Sequence, residues 1–282
     1  MLTSKRNVIA ISSLLIITFA TLTATIWLPF TPSYIDPEQR LLAPSATHWF
    51  GTDNFGRDIF ARTIVAAKIS LFVGAVVALI STSIGTVIGI VSGYYRKADF
   101  VLMRIIDGLL AFPSLLLALA LVAALGGNLT NIIIALTFAF SPIMARIVRS
   151  AVLQLNDVQY IEAAKTNGIN DVNIMARYIL PNILTPIIVQ GTFVFAKAIL
   201  AEAALSFLGV GVDPTIPTWG NMLQESQIYT TFAPWTSIFP GLAIVITVLA
   251  LNMIGDGLRN ALNPHENKIK RKKPFKKKMN VA

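Results

Sequence analysis

The sequence predicts an all-α membrane protein of six transmembrane helices with both termini on the inner side, and three observations carry that prediction. Only 13% of the 282 residues are charged and 55% are hydrophobic, whereas a soluble domain averages roughly 25% charged. Mean hydropathy is +0.68, and the apolar residues gather into six runs of about 20 residues, each long enough to cross a ~30 Å hydrocarbon core as a helix. The cations are also unevenly placed. With the N-terminus inside, eighteen of the 23 Lys and Arg fall in inner segments and four in outer loops, with Lys197 inside a span. The positive-inside rule therefore selects the N-in/C-in orientation.

The first run covers 8–28, after Lys5 and Arg6. It is long for a signal peptide and has a poor small-residue cleavage pattern, so it reads as a retained span. Residues 29–68 form an outer polar interval holding GTDNFGRD at 51–58. From Asp58, apolar residues recur at helical spacing and predict an amphipathic helix at the surface. The second run, 70–94, carries Gly85, Gly89 and Gly93 four apart with Ser81 before them, a small-residue ridge that admits a neighbouring helix at close range. The third run, 105–125, contains Pro113; the fourth is 131–148, the fifth 182–208 and the sixth 236–258. Between the last two, 209–235 reads as an outer loop with three prolines and no Lys or Arg. Nine Lys and Arg from Arg259 onward form a basic tail. Such a tail after a span marks the cytoplasmic side and favours anionic lipid over nucleic acid.

One polar interval stands out in the second half, EAAKTNGINDVNIMARYILP at 162–181, on the inner side. Asn156 and Asp157 are candidate caps for a short helix. Gly168 is suited to ending it, because glycine accepts the left-handed conformation, and Asn170 or Asp171 is placed to cap the next helix. Ala163 and Ala164 would leave a smooth face for a partner groove, and Glu162 a charge for a partner's base. An ordinary interfacial helix fits the same residues.

Ionisable groups inside the bilayer are costly and often functional. Lys197 and Glu202 are the candidates here, for the pathway or for a subunit interface. Five residues apart, they do not share a helical face. No catalytic residue and no metal site is expected. The chain has no cysteine, no His-Glu-x-x-His, and its histidines, His48 and His265, lie outside the runs. It also lacks the Gly-x4-Gly-Lys-Ser/Thr loop of a fused ATPase. Gly255-Asp256 has no second aspartate motif that would make an intramembrane protease.

The pattern Glu162, Ala163, Ala164, Gly168, Leu180, Pro181 resembles the cytoplasmic loop of permease subunits of binding-protein-dependent ABC importers, with Tyr178 where relatives often have histidine. GTDNFGRD, the stretch 107–123, LSFLGVGVDPTIPTWGNML at 205–223 and the stretch 239–264 are similar to the second, C-type permease of the peptide/nickel branch. HWFGTDNFGRDIFAR looks especially like nickel permeases, and the whole chain is similar to the permease of a metal–opine importer. The resemblance implies a type I importer permease fold, with a first span and outer loop (1–68), a permease core (69–260) whose coupling loop is 150–181, and the basic tail (261–282). It also implies a coupling helix around 157–168 seated in an ATPase subunit, with Glu162, Ala163, Ala164 and Gly168 as its contacts.

The expected function is ATP-driven import of nickel, cobalt or zinc as a metallophore chelate. The alternative is di- or oligopeptide import by the same architecture, and a rival of another class is a self-contained secondary transporter, against which the absence of an internal repeat counts. The expected partners are a second permease, two ATPase subunits, an extracytoplasmic binding protein and the lipid bilayer of the cell membrane. No cofactor is expected on this chain, ATP being used by the partner ATPases.

Overall fold

The computed structural model describes residues 5–28 and 30–262. All but the first two residues of the basic tail at 261–282, with His265, lie outside the described residues. Among the described residues the regular structure is helical, with one isolated bridge between Thr52 and Asp58. The helices are α1 (Lys5–Trp27), α2 (Ile59–Tyr94), α3 (Arg96–Leu110), α4 (Ser114–Leu125), α5 (Leu129–Leu155), α6 (Gln159–Thr166), α7 (Asp171–Asn173), α8 (Leu184–Phe207), α9 (Trp219–Ser226) and α10 (Trp235–Leu262). A π-helical turn, Ile174–Ile179, and a 3-10 turn, Leu180–Ile183, join α7 to α8.

Four helical stretches are long and apolar enough to cross a membrane: α2, α5, α10 and the continuous stretch Asp171–Phe207 that ends in α8. The expected third span departs from prediction. It is a pair of helices, α3 and α4, bent by 87°. Pro113 has no N–H and drives the residue before it out of the helical region, so α3 stops and Pro113 becomes the N-cap of α4. The 12 residues of α4 extend only about 18 Å. The first helix, α1, is 23 residues long, and its described apolar part is Val8–Ala24. By length and composition the described residues supply four spans, or five if the bent pair is one, beside α1.

The predicted surface helix at 58–68 is the buried start of α2. Ile59, Arg62, Ala66 and Ala67 are all buried, and α2 runs unbroken for 36 residues through the 68/69 boundary expected between segments. The cover comes from the interval 209–235. That interval is not a plain loop; it folds α9 back onto the bundle. Thr218 caps α9 by accepting from the Asn221 amide at 3.1 Å, and the indole of the buried Trp219 donates to the Thr63 carbonyl at 3.0 Å.

The core pairing is α2 on α5. Ideal Cβ atoms on Gly85, Gly89 and Gly93 would stand 2.5, 2.6 and 2.6 Å from the Cβ atoms of Met144, Val148 and Val152. Only glycine permits that approach, so the predicted ridge is an interface. The bundle has two distinct ends. At one end the 30–58 interval meets α9 and Trp235. At the other, the close of α2 meets α7. The polar intervals assigned to outside and inside thus lie at opposite ends.

Candidate functional site

The interval after α5 forms a small polar lobe on the inner end. Its first helix, α6, starts at Val158 without a side-chain cap. The expected caps do other work or none: Asn156 ends α5, and its amide donates to the Gly93 carbonyl at 2.6 Å. The C-terminus matches expectation. Gly168 has φ +73°, its amide donates to Lys165 O at 3.0 Å, and the Ile169 amide donates to Ala164 O at 3.2 Å. These two bonds close a Schellman end. Asn170 caps α7 by accepting from the Val172 amide at 3.1 Å.

One carboxylate makes the lobe's side-chain hydrogen bonds to the end of α2. Asp171 accepts from the Tyr94 hydroxyl at 2.7 Å and the Tyr95 hydroxyl at 3.0 Å, both charge-assisted bonds. The Tyr95 phenol is pushed above its usual range, first by its bond to Asp171 and then by burial. Lys165 sits 5.1 Å from the centre of the Tyr94 ring, within cation–π range. Beneath, Ile161 and Ala164 pack with Val148, Val152, Ile174 and Ile179 in one buried cluster. The same cluster holds Ile90 of α2 and Ile187 of α8, so α6 packs with α2, α5 and the start of α8.

Of the predicted contacts, Glu162, Ala163 and Gly168 are exposed on α6 and its end. Ala164 is not: it is buried against the chain's own core, because the turn that exposes Ala163 points the next residue inward. Lys197 is exposed on α8 and Glu202 is fully buried. Glu202 accepts from Ser206 at 3.0 Å and Ser70 at 3.2 Å, and Ser70 in turn accepts from the Trp219 amide at 3.3 Å. It ties α2, α8 and α9 together inside the chain.

The outer end holds a charge network that sequence reasoning missed. Asp53 accepts from the amides of Phe55 (2.8 Å) and Arg57 (3.0 Å), from Arg57 Nε (2.6 Å) and from Arg62 Nη1 (2.8 Å). Both arginines also reach Glu225 of α9, at 2.6 and 3.2 Å. Burial pushes the Glu225 carboxyl above its usual range, while Arg57 pulls it back. Asp58 caps α2 through the Ala61 amide and contacts His48 Nδ1 at 2.8 Å. Gly51 and Gly56 have φ of +76° and +77°, and a Cβ on Gly56 would collide with the Asp36 carbonyl. The GTDNFGRD stretch is thus a folded clasp whose acids and bases are spent on its own structure. A hint was present, in that Glu225 is one of two acids in an interval without Lys or Arg.

A bundle of long apolar helices carrying a polar lobe at one end defines a multi-pass membrane protein. Residues 85–268 match the family described as binding-protein-dependent transport system inner membrane component. A dipeptide transport system permease protein of Alkalihalophilus pseudofirmus is 49% identical over 265 residues, covering 92% of this chain and 87% of that protein. A glutathione transport system permease protein of Pectobacterium atrosepticum is 44% identical over 233 residues, covering 82% and 77%. The chain belongs to this family of permease subunits of ABC importers and has its type I permease fold. It is not the ATPase: hydrolysis resides on separate subunits.

Proposed function

We propose that this chain is one half of a heteromeric pore importing short peptides. The observation that carries the reading is the 49% identity, along 92% of the chain, to a protein named for dipeptide transport; the glutathione permease, named for a tripeptide, supports it. These names favour peptides over the chelated nickel, cobalt or zinc expected from the likeness of 48–62 to nickel permeases and of the whole chain to a metal–opine permease. The geometry explains why that motif is a poor guide to cargo: Asp53, Arg57 and Asp58 hold the clasp together and are not free to contact a substrate. Among the described residues no three His, Cys, Asp or Glu are grouped to hold a metal.

In this reading α6 is the coupling helix, with Glu162, Ala163 and Gly168 facing the ATPase. ATP-driven closure of the ATPases draws α6, and the Asp171–tyrosine clamp carries the displacement into α2. The helical bundle then tilts against the partner permease between two packings, and a binding protein docked on the outer end releases its peptide. Exposed Lys197 is proposed to face the pathway or the partner permease. The test is uptake by cells lacking this chain, comparing labelled dipeptide and glutathione with labelled nickel, cobalt and zinc, with and without chelator. Loss of peptide uptake, restored by the gene, is expected. Undiminished peptide uptake with loss of chelated metal would overturn the reading.

A further inference from the structure

We infer that Lys197 is the contact for the peptide's C-terminal carboxylate at the middle of the import pathway, an inference that rests on the peptide cargo proposed above. One stripe of α8 is left uncovered by the rest of the chain. Pro186, Gln190, Phe193, Lys197, Leu200 and Ala204 recur at steps of three and four, and none of them is buried. Such spacing puts them on one helical face. The other faces are occupied: Glu202 turns to Ser70 of α2, and Gly255 of α10 abuts Thr192. Lys197 stands roughly 20 Å from the start of α8 and roughly 15 Å from its end, at 1.5 Å per residue. That is too deep for its stem to carry the ammonium to either membrane surface. A charge so placed meets water or an opposite charge, because lipid does not take it. Among the described residues Lys197 has no ion-pair partner.

Two further polar side chains accompany it. Gln190 lies two turns inward on the same stripe. A Cβ on Gly255 would meet the Phe193 ring at 3.2 Å. The end of α8 and the start of α10 both lie at the outer end of the bundle, so the two helices run in opposite directions. One turn outward from the Gly255–Phe193 contact therefore reaches Lys197 on α8 and Asn252 on α10, at one level of the membrane. Neither Gln190 nor Asn252 is buried, and neither makes a side-chain hydrogen bond among the described residues. An ammonium matches a carboxylate, and the two amides match the N–H and C=O of a peptide link. The partner permease would have to supply a dedicated acid to fill the same place; every peptide with a free C-terminus brings its own. Lysine also suits passage. Its hydrated point charge on a flexible stem lacks the bidentate fork of arginine, so it attracts a carboxylate and lets it leave, as conduction requires.

The test uses the full importer complex in proteoliposomes. The chain has no cysteine, so Lys197→Cys gives it a single thiol, to which methanethiosulfonates attach an aminoethyl, a methyl or a sulfonatoethyl group from the water phase. The Cys variant is expected to take up labelled dipeptide about tenfold more slowly than the native complex, the scale of one lost charge-assisted contact. The aminoethyl reagent, which rebuilds a cation, is expected to restore most of the rate, and the neutral and anionic reagents none of it, each compared with the native complex given the same reagent. Saturating binding protein loaded with dipeptide is expected to slow the modification. Lys197→Arg, which keeps a cation in place, is expected to keep most of the native rate, and so separates loss of charge from misassembly. No mass added to this chain by any reagent would set Lys197 against the partner permease, and equal uptake under all three would remove its charge from transport; either result overturns the inference. Uptake of labelled chelated nickel but not dipeptide by the native complex, with the same rescue, would overturn the peptide cargo and the carboxylate with it, while leaving Lys197 in the pathway.

Discussion

Gly89 faces Val148 so closely that a Cβ would stand 2.6 Å from its neighbour's Cβ and 2.7 Å from the Ala145 carbonyl. Gly89→Leu must therefore force the helices apart, at about 1–3 kcal/mol, as overpacking typically does. Thermal unfolding of the purified complex should show the loss; an unchanged midpoint would remove the ridge from the packing account. Glu225→Ala should cost a similar amount, about 1–3 kcal/mol, since it removes charge-assisted bonds from Arg57 and Arg62 while both keep Asp53 as a partner; an unchanged unfolding midpoint would remove Glu225 from the clasp. At this scale the sequence was partly legible. The glycine ridge and the Gly168 terminus show in spacing and residue type alone. The Arg57–Glu225 pair does not, because its members are 168 residues apart and nothing local marks them as partners. Ala164 was misplaced because two adjacent alanines look alike in sequence, while the helix turns one of them inward.

Among the elements, the lobe from α6 to α7 carries the functional account. Its grip on the bundle rests on Asp171 receiving two tyrosine hydroxyls. Asp171→Asn keeps the shape but loses the charge that strengthens both bonds. The expected outcome is uptake lowered several-fold while the complex assembles normally and ATP hydrolysis persists, a partial uncoupling. Transport and hydrolysis falling in equal proportion would place Asp171 in assembly instead. Apolar run length identified α2, α5, α8 and α10 but could not register bends and foldbacks. Pro113 was visible, yet its 87° consequence depends on where α3 packs. The helix α9 is only 8 residues long and lies among prolines, so its periodicity is too brief to read. Its burial of α2 turned a predicted surface helix into core.

For the whole molecule, orientation and architecture were the most legible features, because charge asymmetry and hydropathy sum over the full chain. Cargo was the least. The stretch 48–62 suggested a metal through its likeness to nickel permeases, but the charged side chains of its clasp are consumed by the fold. The central claim is that the chain passes peptides only when a partner ATPase moves α6. The most direct measurement is dipeptide uptake into proteoliposomes holding the reconstituted importer, read beside ATP hydrolysis, for the native chain, Glu162→Arg and Gly168→Pro. The account predicts ATP-dependent uptake by the native complex and its loss in both variants, with the variants still assembled in the membrane. Uptake by the permeases without ATPase subunits, or native uptake rates in both variants, would contradict it.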